Sequence, residues 1–253
     1  MISINTNYGS LFASKSAGAA QKTMNTAMER LSSGLRINSA KDDAAGQGIA
    51  TRLSAEIMGL EMASRNASDA QAMIDTAEAA HQEVHSMLIR MREIAVQAAN
   101  GTLSDADRTA LNAEVTALET EITNIADNTA FAGVNLGTST AVKFQTGTGN
   151  GDTIDHTFKD FDATTISADV DVLSTGSAGN AVSTLDAAIS LISTRRGELG
   201  ALSNRLSSTI ANLDNIAVNL SSARGRIQDA DFAAETSNLA KSQIMQQAAT
   251  AML

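Results

Sequence analysis

The chain has 253 residues, 43% of them hydrophobic but only 3% aromatic, with no tryptophan, proline or cysteine and a formal net charge of −10. Without cysteine there can be no disulfide, thiolate catalysis or cysteine-ligated zinc, and an acidic balance with no run of Lys or Arg removes the electrostatic basis for nucleic-acid binding. Few aromatics argue against a large globular core, and the lack of proline leaves nothing that must break a helix, so thin, very long helices are favoured.

The opening residues, Met1-Ile2-Ser3-Ile4-Asn5, lack a basic region followed by an apolar stretch, and no window approaches the ~18 apolar residues of a membrane span. Neither a membrane partner nor export through a cleaved signal peptide is therefore expected. A first helical arm is predicted from Tyr8 to about Leu31, interrupted at Ser32-Ser33-Gly34 and again by the polar stretch Asn38 to Asp43. A second helix is predicted from Ala44 to Asn100, about 85 Å long at ~1.5 Å per residue. Within it Leu60, Ala63, Ala67, Ala70, Ile74, Ala77, His81, Val84, Leu88, Met91, Ala95 and Ala98 keep an unbroken three-four spacing. Only His81 in that series is polar, so the segment reads as a coiled-coil seam whose alanines let a partner backbone come close.

Asn100-Gly101 supplies a helix stop, and Ser104-Asp105-Ala106-Asp107 reads as the cap of the next helix, so the chain is expected to turn back there. Leu111, Val115, Leu118, Ile122 and Ile125 then continue the spacing on an antiparallel partner. From Phe131 to Asn180 the sequence is rich in Gly, Thr, Asp and Asn, with short alternating runs at Val142-Lys143-Phe144 and Thr157-Phe158-Lys159 that predict strands and turns. The helical pattern resumes at Leu185, Ile189 and Ile192, passes through Leu206, Ile210, Leu213, Ile216 and Leu220, and is expected to end near Arg224-Gly225. A last helix is predicted from Asp231 onward. The fold class is mainly α: an elongated, coiled-coil-like antiparallel bundle with a small β-hairpin region and paired N- and C-terminal helices. Its seam would be carried by Leu60, Ile74, Val84, Leu88, Met91, Leu111, Leu118, Ile122 and Leu213.

Chemistry is hard to find in these residues. His81 and His85 stand four apart, but the order is H-Q-E-V-H, and Gln82 occupies the place where a zinc protease needs its general base. His81 also falls on the apolar seam, so packing is the preferred reading; a helical enzyme built on this pair is the rival from another class. The Gly147-Thr148-Gly149-Asn150-Gly151-Asp152 stretch resembles one turn of a calcium-binding repeat, but it occurs once and reads as a hairpin loop. No phosphate-binding glycine loop occurs, and neither a metal nor any other cofactor is expected. Arg90, Arg92 and Glu93 lie on the helix face away from Leu88, Met91 and Ala95, and from the residues alone are a solvated polar face.

Both ends of the chain carry specific motifs. At the front stand Ile2-Ser3-Ile4-Asn5-Thr6-Asn7 and the stretch ERLSSGLRINSAKDDAAG from Glu29 to Gly46; Arg65-Asn66-Ala67 and LIRMREIAVQAANGT from Leu88 to Thr102 follow. At the back stand GELGALSNRL from Gly197 to Leu206, RGRIQDADF from Arg224 to Phe232, and Gln246-Gln247-Ala248. These resemble bacterial flagellin over roughly residues 1 to 136 and 180 to 253. The resemblance implies a structural subunit, not an enzyme, that self-assembles into a helical filament for motility outside the cell. Its partners would be further copies of itself, the flagellar export apparatus, an export chaperone and the filament cap.

The implied organisation is an inner-core helix and linker over 1–43, the first half of an outer-core bundle over 44–130, a short variable β and loop region over 131–180, the returning bundle helix over 181–226 and an inner-core helix over 227–253. Similar flagellins usually continue beyond the Gln-Gln-Ala stretch, so the final helix is expected to be a shortened form. The resemblance also implies a surface for the Toll-like receptor for flagellin and for neighbouring subunits, carried by Arg90, Arg92, Glu93, Ile94, Gln97 and Glu114. A hook–filament junction protein of the same superfamily is the alternative within this architecture.

Overall fold

The computed structural model describes residues 7–166 and 170–252; residues 2–6 of the N-terminal motif and Leu253 lie outside the described residues. In chain order the elements are α1 (Tyr8–Ser33), α2 (Ala44–Ala98), α3 (Asp105–Asn128), β1 (Ala130–Phe131), β2 (Val134–Asn135), β3 (Thr140–Gln145), β4 (Thr153–Phe158), α4 (Ala163–Ile166), α5 (Thr175–Gln228) and α6 (Phe232–Ala251). The chain divides into two compact units, residues 1–58 with 216–253 and residues 59–215, and the divisions fall inside α2 and α5.

In the first unit α1 pairs with α6. The Asn7 side chain caps α1 by accepting from the Ser10 N–H, and Gly34, at φ 74°, ends it in the left-handed conformation. Asp231 caps α6 by accepting from the Ala233 and Ala234 N–H groups. The buried positions are Ala13, Ala20 and Ala27 on α1 and Glu235, Ser242 and Ala249 on α6, so each helix turns one small-residue position inward per heptad, with Glu235 the exception. Arg30 and Glu235 meet that exception with an ion pair at 2.7 Å, and Gln246 donates to the Gln21 side-chain oxygen. Near the start of α2, the Asp43 carboxylate accepts from the Gly46 N–H at 2.9 Å. A side chain at Gly46 would come within 2.7 Å of the buried Ile37 Cδ1, so this close approach requires glycine.

In the second unit α2, α3 and α5 enclose two apolar clusters. One joins Val84, Leu88 and Met91 of α2 to Val115 and Ile122 of α3, Leu185 and Ile192 of α5, and Phe161 and Val172 from the connecting chain. The other joins Ala67, Ile74 and Ala77 of α2 to Leu199 and Leu206 of α5 and to Phe144, Ile154 and Phe158 of the β3–β4 hairpin. That hairpin runs in antiparallel register from Thr140 opposite Phe158 to Gln145 opposite Thr153, and alternation turns its three large apolar side chains toward the helices. The β1–β2 hairpin closes through Ala132 at φ 49° and Gly133 at φ 85°, so Ala132 is held in a conformation that alanine adopts at a cost. Of the seam residues, Leu60, Ile74, Val84, Leu88, Met91, Ile122 and Leu213 are buried, while Leu111 and Leu118 are half-buried.

The structure departs from the sequence reading in three places. α5 begins at Thr175, inside the stretch expected to be β and loop, because Ser174 accepts from the Ser177 N–H and the buried Ala178 and Ala181 anchor the first turns. It then runs through Gly225 to Gln228; glycine weakens a helix by only about 1 kcal/mol, and Arg36 donates to the Ile227 and Gln228 carbonyls at its end. Ile216, on the expected seam, is exposed.

Candidate functional site

The candidate face lies near the C-terminal end of α2, where the helix turns back into α3. Ser104 and Asp107 form a reciprocal capping box at the start of α3. The turn is clamped by a residue that sequence reasoning missed. Arg108 is buried, and its guanidinium donates to the carbonyls of Ala98 at 3.1 Å, Asn100 at 2.9 Å and Leu103 at 2.9 Å. One fork therefore satisfies carbonyls left open at the C-terminus of α2. Four residues after the Ser104 cap, Arg108 reads in sequence like any solvated helix cation.

Arg90 reaches across from α2 to α3. Its Nε and Nη2 donate to one Glu114 carboxylate oxygen at 3.0 and 2.8 Å, and its Nη1 donates to Glu93 at 3.1 Å. The hydrogen bonds to Glu114 and then Glu93 raise the Arg90 pKa above its ordinary value and keep the guanidinium charged. Gln97 is exposed on the same side. At 100° per residue, Arg90, Gln97 and Glu93 fall within an arc of about 60°, which continues through Ile89 and Val96. Both of those apolar residues are exposed, Val96 at 52%. Their signal in the sequence is a large aliphatic residue off the seam.

Two expected members do not join this arc. Ile94 is 1% exposed and sits in the core with Met91 and Ala95, so it is not a surface contact of the monomer. The reason is the width of the buried arc: α2 packs against both α3 and α5 here, and about 120° of its circumference, from Ile94 round to Leu88, is covered. Arg92 points to the other side, where its guanidinium donates to Asp186 of α5. That bond raises its pKa. The predicted face is thus two polar surfaces, one shared by α2 and α3 and one by α2 and α5.

The histidine pair gives no ligand set. His81 is buried and its Nδ1 donates to the Ala77 carbonyl at 2.7 Å, while its ring stands 4.4 Å from that of Phe161. Burial lowers its pKa, so it packs as a neutral imidazole. His85 is half-buried, and among the described residues no group of three or more His, Asp or Glu side chains is arranged to hold a metal. Among them too, no helix is long and apolar enough to cross a membrane.

Comparisons with known proteins agree along the chain. Residues 4–140 match the family model of the bacterial flagellin N-terminal helical region, and residues 182–253 match that of the C-terminal helical region. A flagellin of Halalkalibacterium halodurans is 42% identical over 99% of this chain and 94% of its own. Flagellin A of Vibrio cholerae is 33% identical over an alignment of 362 positions that covers 100% of this chain, so that relative carries additional residues. Among solved structures, a Bacillus cereus flagellin crystal structure covers 63% of this chain at 29% identity and a TM-score of 0.53. A putative flagellar hook-associated protein of Vibrio parahaemolyticus covers 74% at 16% identity and a TM-score of 0.63, a likeness of fold alone.

Proposed function

The chain belongs to the bacterial flagellin family, and from that premise we infer how its geometry serves assembly. It is a structural subunit of the flagellar filament, which lies outside the cell. The observation that carries the assembly reading is the α1–α6 pair. Its inward positions are almost all small, while Tyr8, Leu11 and Phe12 on α1 and Phe232, Ile244 and Met245 on α6 are exposed, Tyr8 at 75%. Large side chains facing outward along a paired helix need a further surface to cover them, and other copies of the same chain supply it. Purified protein under salting-out conditions should give long filaments by electron microscopy; only amorphous aggregate or persistent monomer would remove this reading. The hook-associated alternative has on its side only a likeness of fold at 16% sequence identity, whereas both family models are flagellin's own.

The finer partners are part of the proposal. Export apparatus, chaperone and cap would meet the subunit before it joins the filament. The Arg90, Glu93, Gln97 and Glu114 face, widened by Ile89 and Val96 and without Ile94, is the surface for the Toll-like receptor, and Arg92 is assigned to a separate contact on the α5 side. The supporting geometry is an exposed arginine pre-oriented by two carboxylates beside two uncovered aliphatic side chains. Changing Arg90 to Ala should weaken a receptor reporter response about tenfold or more. Silence of the unaltered monomer at concentrations where other flagellins act would end this part of the proposal.

A further inference from the structure

Asparagine is followed by glycine twice in the chain, at Asn100-Gly101 in the turn from α2 into α3 and at Asn150-Gly151 in the tip of the β3–β4 hairpin, and all four residues are exposed. Glycine has no side chain to shield its own amide nitrogen, and a Cβ built at Gly101 or Gly151 would meet nothing within 4 Å. Neither glycine N–H donates to another described residue. Joining that nitrogen to the asparagine Cγ closes a five-membered ring, and a nucleophile tethered so close gains the large effective concentration of an intramolecular reaction. Both dipeptides therefore carry the atoms for ring closure, and their surroundings decide which of them uses it.

Asn100 is held on every side. Its carbonyl accepts from Arg108 Nη2 at 2.9 Å and from the Leu103 N–H at 3.4 Å, and its side-chain Oδ1 accepts from the Thr102 N–H at 3.2 Å. Ring closure has to rotate both the side chain and the peptide plane that carries this carbonyl, so all three bonds oppose it. Arg108 is buried and fixed by the Ala98 and Leu103 carbonyls as well, so it does not follow. At the hairpin tip the Asp152 N–H donates to the Gly149 carbonyl at 3.3 Å, which makes a turn with Gly151 in its third position at φ 95°. Other residues hold that frame: Gln145 Nε2 donates to the Gly147 and Gly149 carbonyls, and the Asp152 carboxylate accepts from the Gly149 N–H, each at 2.8 Å. Asn150 itself, side chain and backbone, has no hydrogen-bond partner among the described residues.

We propose that Asn150 is a site of spontaneous covalent self-modification, its side-chain amide lost through attack by the Gly151 nitrogen, while the Arg108 fork protects Asn100 from the same reaction. The Gly151 N–H gives up its proton, the nitrogen bonds to Asn150 Cγ, and the bond from Cγ to the side-chain nitrogen breaks. That nitrogen takes up a proton and leaves as ammonia. Water then opens the cyclic imide. Addition at one carbonyl gives aspartate with the main chain as before, and addition at the other gives isoaspartate, with the main chain routed through the side chain. Water is the only co-reactant, and nothing is oxidised or reduced. Either product adds one negative charge near Asp152, and isoaspartate also lengthens the loop by one carbon. The loop is seated on α2, where Thr148 Cγ2 lies 2.7 Å from the place a Cβ on Gly59 would take, so a longer tip works against that seat.

The test is incubation of the full chain at mildly alkaline pH, which favours loss of the amide proton, followed by tryptic mass spectrometry with the unincubated chain as reference. Cleavage after lysine and arginine gives peptides 144–159 and 93–108, each with a single asparagine. The first should gain the deamidated mass, divided between two chromatographic forms, at least about tenfold faster than the second, the factor that about 1.4 kcal/mol of retained hydrogen bonding gives. In guanidinium chloride the Arg108 fork is lost, and the two rates should converge. Gly151→Ala, which sets a methyl group beside the attacking nitrogen, should slow conversion of the first peptide and leave the second unchanged. Four results would each overturn the proposal: Asn100 converting as fast as Asn150 in the folded chain, Asn150 staying intact there while the denatured chain converts, a rate ratio that survives denaturation, or an unchanged rate in Gly151→Ala.

Discussion

The α1–α6 pair and the three-helix unit of residues 59–215 are built from the same helical alphabet and solve opposite problems. In the larger unit the inward positions are Val84, Leu88, Met91, Ile122, Leu185 and Ile192, large side chains with almost no exposure, and the core is complete within one molecule. In the terminal pair the inward positions are mostly alanine, with one serine and one ion-paired glutamate, while the large apolar side chains face out. Burial contributes roughly 25 cal/mol per Å² of apolar surface, so small inward residues hold two helices weakly, and helices of this length are marginal alone in water. The difference separates folding from assembly. One unit is stabilised by what it buries itself, and the other, on the assembly reading proposed above, by what a neighbouring copy covers.

The largest effect expected from that contrast is on polymerisation. Removing residues 1–31 should abolish filaments altogether while the core of residues 59–215 stays folded, as read by sedimentation and by circular dichroism beside the intact chain. Filaments from the trimmed protein would break the comparison. The converse perturbation is Gly137→Ala. A Cβ there would fall on the Ala126 backbone carbonyl, well inside contact distance, and neither α3 nor the buried Leu136 next to Gly137 has room to yield. Monomer stability should drop by about 3 kcal/mol in denaturant titration, with the α1–α6 pairing surface untouched. The smallest effect runs the other way. Ala132→Asn relieves a left-handed alanine beside Gly133 and should stabilise the monomer by about 0.5–1 kcal/mol without changing filament yield. A change in assembly from either of these last two would show that the units are not energetically separate.

Much of this arrangement was legible in the residues. The three-four spacing from Leu60 to Ala98, the Ser104 cap and the Asp231 cap are local signals, and local geometry obeys them; the stop expected at Asn100-Gly101 also falls where α2 ends, but Gly101 does not take the left-handed conformation that such a stop commonly uses. Alternation around Val142 fell within β3, whereas the run at Thr157-Phe158-Lys159 met only the last two residues of β4. The α5 start at Thr175 was not legible, because glycine and serine there speak for a loop until Ala178 and Ala181 find a buried surface. Nor was the burial of Arg108, since three carbonyls from the preceding turn decide it.

The candidate face divides along the same line. That Arg90, Glu93 and Gln97 share one side of a helix is fixed by a rise and rotation common to every α-helix, and the sequence alone determined it. The same rotation already sets Arg92 about 160° round the helix from Arg90, whereas that Ile94 is withdrawn, that Asp186 is the partner of Arg92, and that His81 is buried against Phe161 were decided only by tertiary structure. Periodicity tells which residues lie together on a helix. How wide an arc becomes buried depends on how many partners arrive, and those partners come from chain positions too distant for any local pattern to encode.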